Sequence, residues 1–169
     1  KAYASTMGMH KVRTKEILEG LPVRFPKYRL LGVETDVRER LLETLRMFAL
    51  PLIVKPVSAG SSVGVSLAKT PEELSDAVRK AFTHSRQVLI EEYVEGREAT
   101  CGVIEGFRGE DIYALFPIEI VPAHDDLLVD YDAKYGGESK EICPAPFDRS
   151  VNEELQEIAK EAHKRMGLR

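Results

Sequence analysis

Tryptophan is absent from this sequence, cysteine occurs twice and histidine four times. Cys101 and Cys143 stand too far apart for the paired spacing of a metal knuckle, and the histidines are scattered, so a zinc centre is not expected. The cysteines read as buried free thiols in a reducing compartment, taken here as the cytoplasm. No apolar run approaches the about 18 residues that a membrane-spanning helix requires, and the first residues carry no signal-peptide pattern. A basic excess is missing as well. The 169 residues carry a formal net charge of −4, which argues against a general nucleic-acid partner. What remains is an ordinary soluble composition, 43% hydrophobic and 31% charged, long enough for one medium domain or two small lobes.

The pattern alternates helices with hairpins. Residues 7–19 carry an apolar stripe of Met7, Val12, Ile17 and Leu18, stopped by Gly20, and predict one helix. The segment 23–31 reads as extended, although Pro26 argues for an edge strand or a loop. Thr35 or Asp36 caps a helix through Ala49, and Pro51 ends it. Residues 52–56 and 65–69 form strands joined by a glycine–serine tip. Thr70, Pro71 and Glu73 open a helix that buries Leu74, Ala77, Val78, Ala81 and Phe82. Strands are predicted over 87–93, 98–105 and 112–120, with Gly106 and Gly109 in the last turn. A long polar, aromatic loop occupies 121–140. Ser150 and Glu153 then box the start of a helix whose stripe is Val151, Leu155, Ile158, Ala159, Ala162 and Met166. Strands joined by hairpins rather than strict crossovers favour antiparallel pairing and an α+β fold.

Four stretches carry candidate chemistry. Lys55 ends a strand, and Ala59 to Gly64 follow it with small residues whose backbone donors and hydroxyls can wrap a polyphosphate. The lysine precedes the glycines, so this is not a Walker loop. Read alone, the same residues also describe a hairpin tip beside a solvated lysine. Glu91, Glu92, Tyr93, Val94 and Glu98 form an acidic linker between strands, suited to an adenine edge and ribose hydroxyls, or simply a charged turn. Asp130 to Gly137, with Lys134 and Tyr135, has the make-up of a cover that moves over a site, or of a bare surface loop. Lys11 lies among cations on a helix, where phosphate or solvent can meet it.

Taken in order, these stretches resemble the D-alanine–D-alanine ligase family of the ATP-grasp superfamily. The resemblance rests on Met9-His10-Lys11, Pro51 to Pro56, Gly60 to Ser66, Val88 to Val94 with Gly96 and Glu98, Asp130 to Tyr135, and Cys143-Pro144-Ala145. It implies an ATP-grasp lobe with an antiparallel sheet, followed by the start of a second lobe. Residues 1–20 would be the linker helix from a preceding domain, 21–95 the small lobe, and 96–169 the beginning of the large lobe, with the moving loop at 121–140. The implied reaction joins two D-alanines at the expense of ATP, through an acyl phosphate, for peptidoglycan precursors.

The resemblance also implies roles. Lys11, Lys55 and Lys134 would bind phosphates, and Ser61, Ser62, Val63 and Gly64 would cover them. Glu91, Glu92, Tyr93 and Val94 would line the adenine, and Glu98 would take the ribose. Ser61 and Tyr135 would belong to the hydrogen-bond set near the second substrate, with Tyr135 favouring an amine acceptor. Mg²⁺ would be held by residues outside this chain, so no metal ligand is expected within it. The chain would then be an ATP-binding part, inactive in ligation alone, of an enzyme that dimerises at full length. Two alternatives stand beside this: another carboxylate–amine ligase of the same superfamily, and a nucleotide-binding module without catalysis.

Overall fold

The computed structural model describes residues 2–34, 36–122 and 140–168. Lys134 and Tyr135, with the rest of the loop expected to move, lie outside the described residues. The chain divides into two compact units. One comprises residues 25–95; the other combines the N-terminal 24 residues with the described segments after residue 95.

The unit of residues 25–95 is a sheet backed by two helices. Its strands are β1 (Tyr28–Gly32), β2 (Leu52–Pro56), β3 (Ser66–Ala68) and β4 (Gln87–Glu92), in the order β1-β4-β2-β3 and antiparallel throughout. β1 is an edge strand, one of the two readings that Pro26 allowed. Helix α3 (Val37–Met47) starts at Asp36, whose carboxylate accepts from the Glu39 amide at 3.2 Å. Helix α4 (Pro71–Phe82) starts at Thr70, whose hydroxyl accepts from the Glu73 amide at 3.2 Å. The Glu73 carboxylate reaches back one residue further than a simple capping box, to the Lys69 amide at 2.7 Å.

Side-chain alternation then decides what each face of this sheet does. Leu31, Leu52, Val54, Ala68, Val88 and Ile90 point toward the helices and meet Leu41, Leu74, Ala77, Val78 and Ala81 in one buried cluster. Each fully buried Leu, Ile or Val there contributes about 1.5–3 kcal/mol relative to exposure. The alternate residues, Ile53 and Lys55 of β2 and Leu89 and Glu91 of β4, share the opposite face.

In the other unit, α1 (Ala2–Met9) and α2 (Lys11–Ile17) replace the single helix expected over residues 7–19. The break falls at His10, which takes an extended backbone and accepts the Arg13 amide on its Nδ1 at 3.3 Å. These helices share a unit with the C-terminal helix α5 (Arg149–Arg165). Arg165 Nη1 donates to the Glu19 carbonyl at 2.7 Å.

The two long strands expected over 98–105 and 112–120 are each divided. β5 (Glu98–Thr100) and β6 (Val103–Phe107) part at Cys101-Gly102, and β7 (Glu110–Ala114) and β8 (Ile118–Val121) part at Leu115–Pro117. Pro117 has no amide hydrogen to give a ladder, and the Leu115 amide donates to the Gly102 carbonyl at 2.8 Å across the division. The pieces diverge into two sheets, β5-β8-β9 with β9 (Lys140–Ile142), and the β6-β7 hairpin. Helix α5 packs on that hairpin.

Three further expectations need correction. The cap of α5 is Asp148, without a side-chain capping bond, not Ser150. The stripe of α5 holds no buried residue. Neither cysteine is buried: Cys143 is exposed and Cys101 intermediate, though both are free. Partial burial pushes the Cys101 thiol above its ordinary value.

Candidate functional site: a cation and a loop on one sheet face

Lys55 and Glu91 meet on the sheet face turned away from α3 and α4. Lys55 Nζ donates to Glu91 Oε2 at 2.6 Å. The two side chains are 29% and 3% exposed, so the carboxylate is almost wholly withdrawn from water while the ammonium keeps some access. A carboxylate so desolvated is tolerated only with strong partners. The lysine is therefore held at a fixed place on the sheet, and this positions its charge.

β2 and β4 run antiparallel, which sorts the flanking segments to opposite ends. Leu52 pairs with Glu92 at one end and Pro56 with Val88 at the other. The glycine–serine loop leaves from the Pro56 end. The linker 93–96 leaves from the Glu92 end. The four-residue step between these ends spans about 13 Å of strand, a length suited to an extended nucleotide lying across the face.

The loop is shaped by its backbone. Ser61 and Ser62 lie at φ 47° and 57°, a left-handed region that residues with a Cβ seldom adopt, and Gly64 lies at φ 70°. Two turns overlap there: the Val63 amide donates to the Gly60 carbonyl and the Val65 amide to the Ser62 carbonyl, both at 3.0 Å. A Cβ at Gly64 would stand 2.7 Å from His84 Cδ2 and 2.8 Å from Pro56 Cγ, so only glycine fits. Ser61 is exposed, Ser62 and Val63 are half-buried, and Gly64 is buried.

At the linker end, Glu92 has a structural task. Its Oε2 accepts the Lys27 amide at 3.1 Å, and its own amide donates to the Lys27 carbonyl at 3.1 Å. Tyr93 is half-buried and Val94 is 67% exposed, leaving an apolar side chain in solvent beside the linker.

Of the remaining predicted residues, two belong to the other unit. Lys11 is the first residue of α2, just after the His10 cap. Glu98 opens β5, exposed and paired in register with Ile120. Lys55, residues 61–64 and residues 91–94 thus share residues 25–95, whereas Lys11 and Glu98 do not.

Two features escaped the sequence reading. His84, beside the loop, sits in an unremarkable polar stretch, and nothing local signals its place against Gly64. Glu119 is the second: it lies in the apolar strand Ile118–Val121, and a lone acid there was a legible hint. Its carboxylate accepts from Arg97 Nε at 2.5 Å and Nη2 at 2.8 Å, and the guanidinium lies 4.3 Å from the centre of the Phe147 ring. The hydrogen bond from Arg97 holds the Glu119 carboxyl below its ordinary value, outweighing burial. This clamp fixes the residue next to Glu98.

An α+β arrangement with antiparallel sheets, a sheet-borne lysine and a glycine–serine loop is the ATP-grasp class of fold. The chain superposes on VanG, a D-Ala:D-Ser ligase from Enterococcus faecalis, with a TM-score of 0.82 and 27% identity, over 99% of this chain and 47% of that one. Residues 17–169 match the family model described as the D-ala D-ala ligase C-terminus, and the chain belongs to the D-alanine–D-alanine ligase family. It is 43% identical over 133 residues to a D-alanine–D-alanine ligase of Desulfotalea psychrophila, covering 78% of this chain and 39% of that protein. With a ligase of Mannheimia succiniciproducens it shares 36% identity over 166 residues, covering 98% of this chain and 52% of the relative. The chain thus spans about half the length of the curated relatives it matches.

Proposed function

We propose that this chain binds ATP for the ATP-dependent ligation of two D-alanines. The observation that carries the reading is the Lys55–Glu91 pair, its carboxylate almost wholly buried, set between the loop at one strand end and the linker at the other. ATP is a substrate here and supplies the transferable γ-phosphoryl group. Its adenine lies toward residues 91–94 and its phosphates toward residues 61–64. Lys55 places a cation along the phosphate chain, where excluding water strengthens the attraction. Lys11 and Lys134 add further charge, and Glu98 takes the ribose hydroxyls. Such positioning and charge compensation are what phosphoryl transfer chiefly asks of a protein.

In this reading the carboxylate of the first D-alanine takes the γ-phosphoryl group. The amine of the second then attacks the acyl carbon and phosphate leaves. Ser61 and Tyr135 orient the second substrate. Mg²⁺, when bound, would offset phosphate charge; among the described residues no group of three His, Cys, Asp or Glu is placed to hold it. VanG carries the name of a D-Ala:D-Ser ligase, which makes D-serine the comparison acceptor. Two free cysteines suit a reducing cytoplasm. Among the described residues no helix is long and apolar enough to cross a membrane. A second copy of the full-length enzyme would be the partner, with neither nucleic acid nor membrane involved.

The test is calorimetric titration of the 169-residue chain and its Lys55→Ala variant with ATP. The variant should bind more weakly by about 1–3 kcal/mol, the range for a charge-assisted contact in a partly desolvated site. Equal affinity would remove Lys55 from the site.

A further inference from the structure

We infer that His84 is a positioning residue for the nucleotide's phosphates, its ring closing the neck of the loop between β2 and β3. This rests on the reading of residues 61–64 as the phosphate-covering segment. The loop departs at Pro56 and returns at Gly64, and the returning end lies against both the Pro56 ring and the His84 ring. A Cβ at Gly64 would fall within 3 Å of both the Pro56 ring and the His84 ring edge. The glycine therefore sits in a slot whose walls are those two rings.

His84 is itself well anchored. It follows the C-cap of α4, Thr83, whose hydroxyl donates to the Lys80 carbonyl at 2.7 Å. The His84 amide donates to the Ala81 carbonyl at 3.1 Å. On the outgoing arm, the Val57 amide donates to the Gln87 carbonyl at 3.0 Å. The segment 84–87 thus grips both arms of the loop, one by a hydrogen bond and one by the packed ring.

The loop needs such a grip. Two successive non-glycine residues at positive φ, Ser61 and Ser62, persist only where the surroundings over-determine the backbone. Without the ring, the Gly64 slot loses a wall and the loop gains other conformers. Phosphate binding must then order it, which lowers affinity in proportion to the fraction of time the binding shape is present. Adenosine carries no phosphate and does not engage this loop. His84 is an exposed residue, so its replacement leaves the buried core intact.

The experiment compares ATP and adenosine binding to the 169-residue chain, His84→Ala, His84→Phe and Lys55→Ala by NMR titration. His84→Ala should bind ATP about fivefold more weakly, a loss of preorganisation, with adenosine unchanged and the melting temperature held. His84→Phe, which restores a flat ring, should recover most of the ATP affinity. Unchanged ATP binding in His84→Ala, an equal loss for ATP and adenosine, or failure of phenylalanine to restore binding would each overturn the inference. If Lys55→Ala weakens ATP binding while His84→Ala does not, the phosphate-loop reading stands and the role of His84 falls. If neither variant changes ATP binding, both fall.

Discussion

Glu119 illustrates how one buried carboxylate is made useful. Its two oxygens are occupied by one guanidinium, and that guanidinium is stacked on Phe147. Because Arg97 favours the ionised form, the folded-state value of Glu119 lies below the ordinary 4.5. A depressed carboxylate contributes stability that is complete above its unfolded value and is lost as pH falls through the folded one. Stability should therefore decline on acidification below about 4.5, and Glu119→Gln should decline less steeply over the same range. Melting temperatures followed by circular dichroism from neutral to acidic pH test this; parallel curves for the two proteins would remove the pair from the acid transition. Lys55 and Glu91 form a second ion pair with a buried carboxylate, in which the ammonium keeps some solvent access.

At the scale of elements, α4 links fold to site. It backs the sheet through Leu74, Ala77, Val78 and Ala81, and its C-terminal turn presents His84. Its start depends on Thr70, followed by a proline in the first turn. Thr70→Ala should lower stability by about 1 kcal/mol, the usual cost of losing a side-chain cap, measurable by urea denaturation; an unchanged midpoint would contradict it. This helix was legible because cap, proline, acidic first turn and apolar spacing all agree locally. The strands over 98–105 and 112–120 were read correctly as extended but not as divided. Their division depends on which partner each half pairs with, a tertiary choice that alternation does not encode. The break at His10 was missed for a related reason: the apolar stripe runs through it, and only the capping bond to Arg13 shows that the chain restarts its helix there.

At the scale of the whole molecule, one unit carries the lysine, the loop and the linker, while Lys11 and Glu98 belong to the other. The order of motifs along the sequence was enough to suggest the family, because stretches that are each weak alone occur together in one order over nearly the whole chain. Sequence did not reveal that Lys55 is locked to Glu91, nor that a histidine 20 positions after Gly64 walls its slot. Both depend on strand register and on how the turn after α4 folds back. The apolar stripe of α5, legible as a buried face, has no buried residue. The family relatives are about twice the length of this chain, so a reading of ligation concerns the longer proteins, whereas nucleotide binding can be measured on these 169 residues.

The most direct measurement is a proton–nitrogen NMR titration of the chain with ATP. The shifted amides should cluster in residues 53–64 and 89–98, at the two strand ends that flank Lys55. Shifts concentrated instead on α5 and the β6-β7 hairpin, or no shifts at saturating ATP, would contradict it.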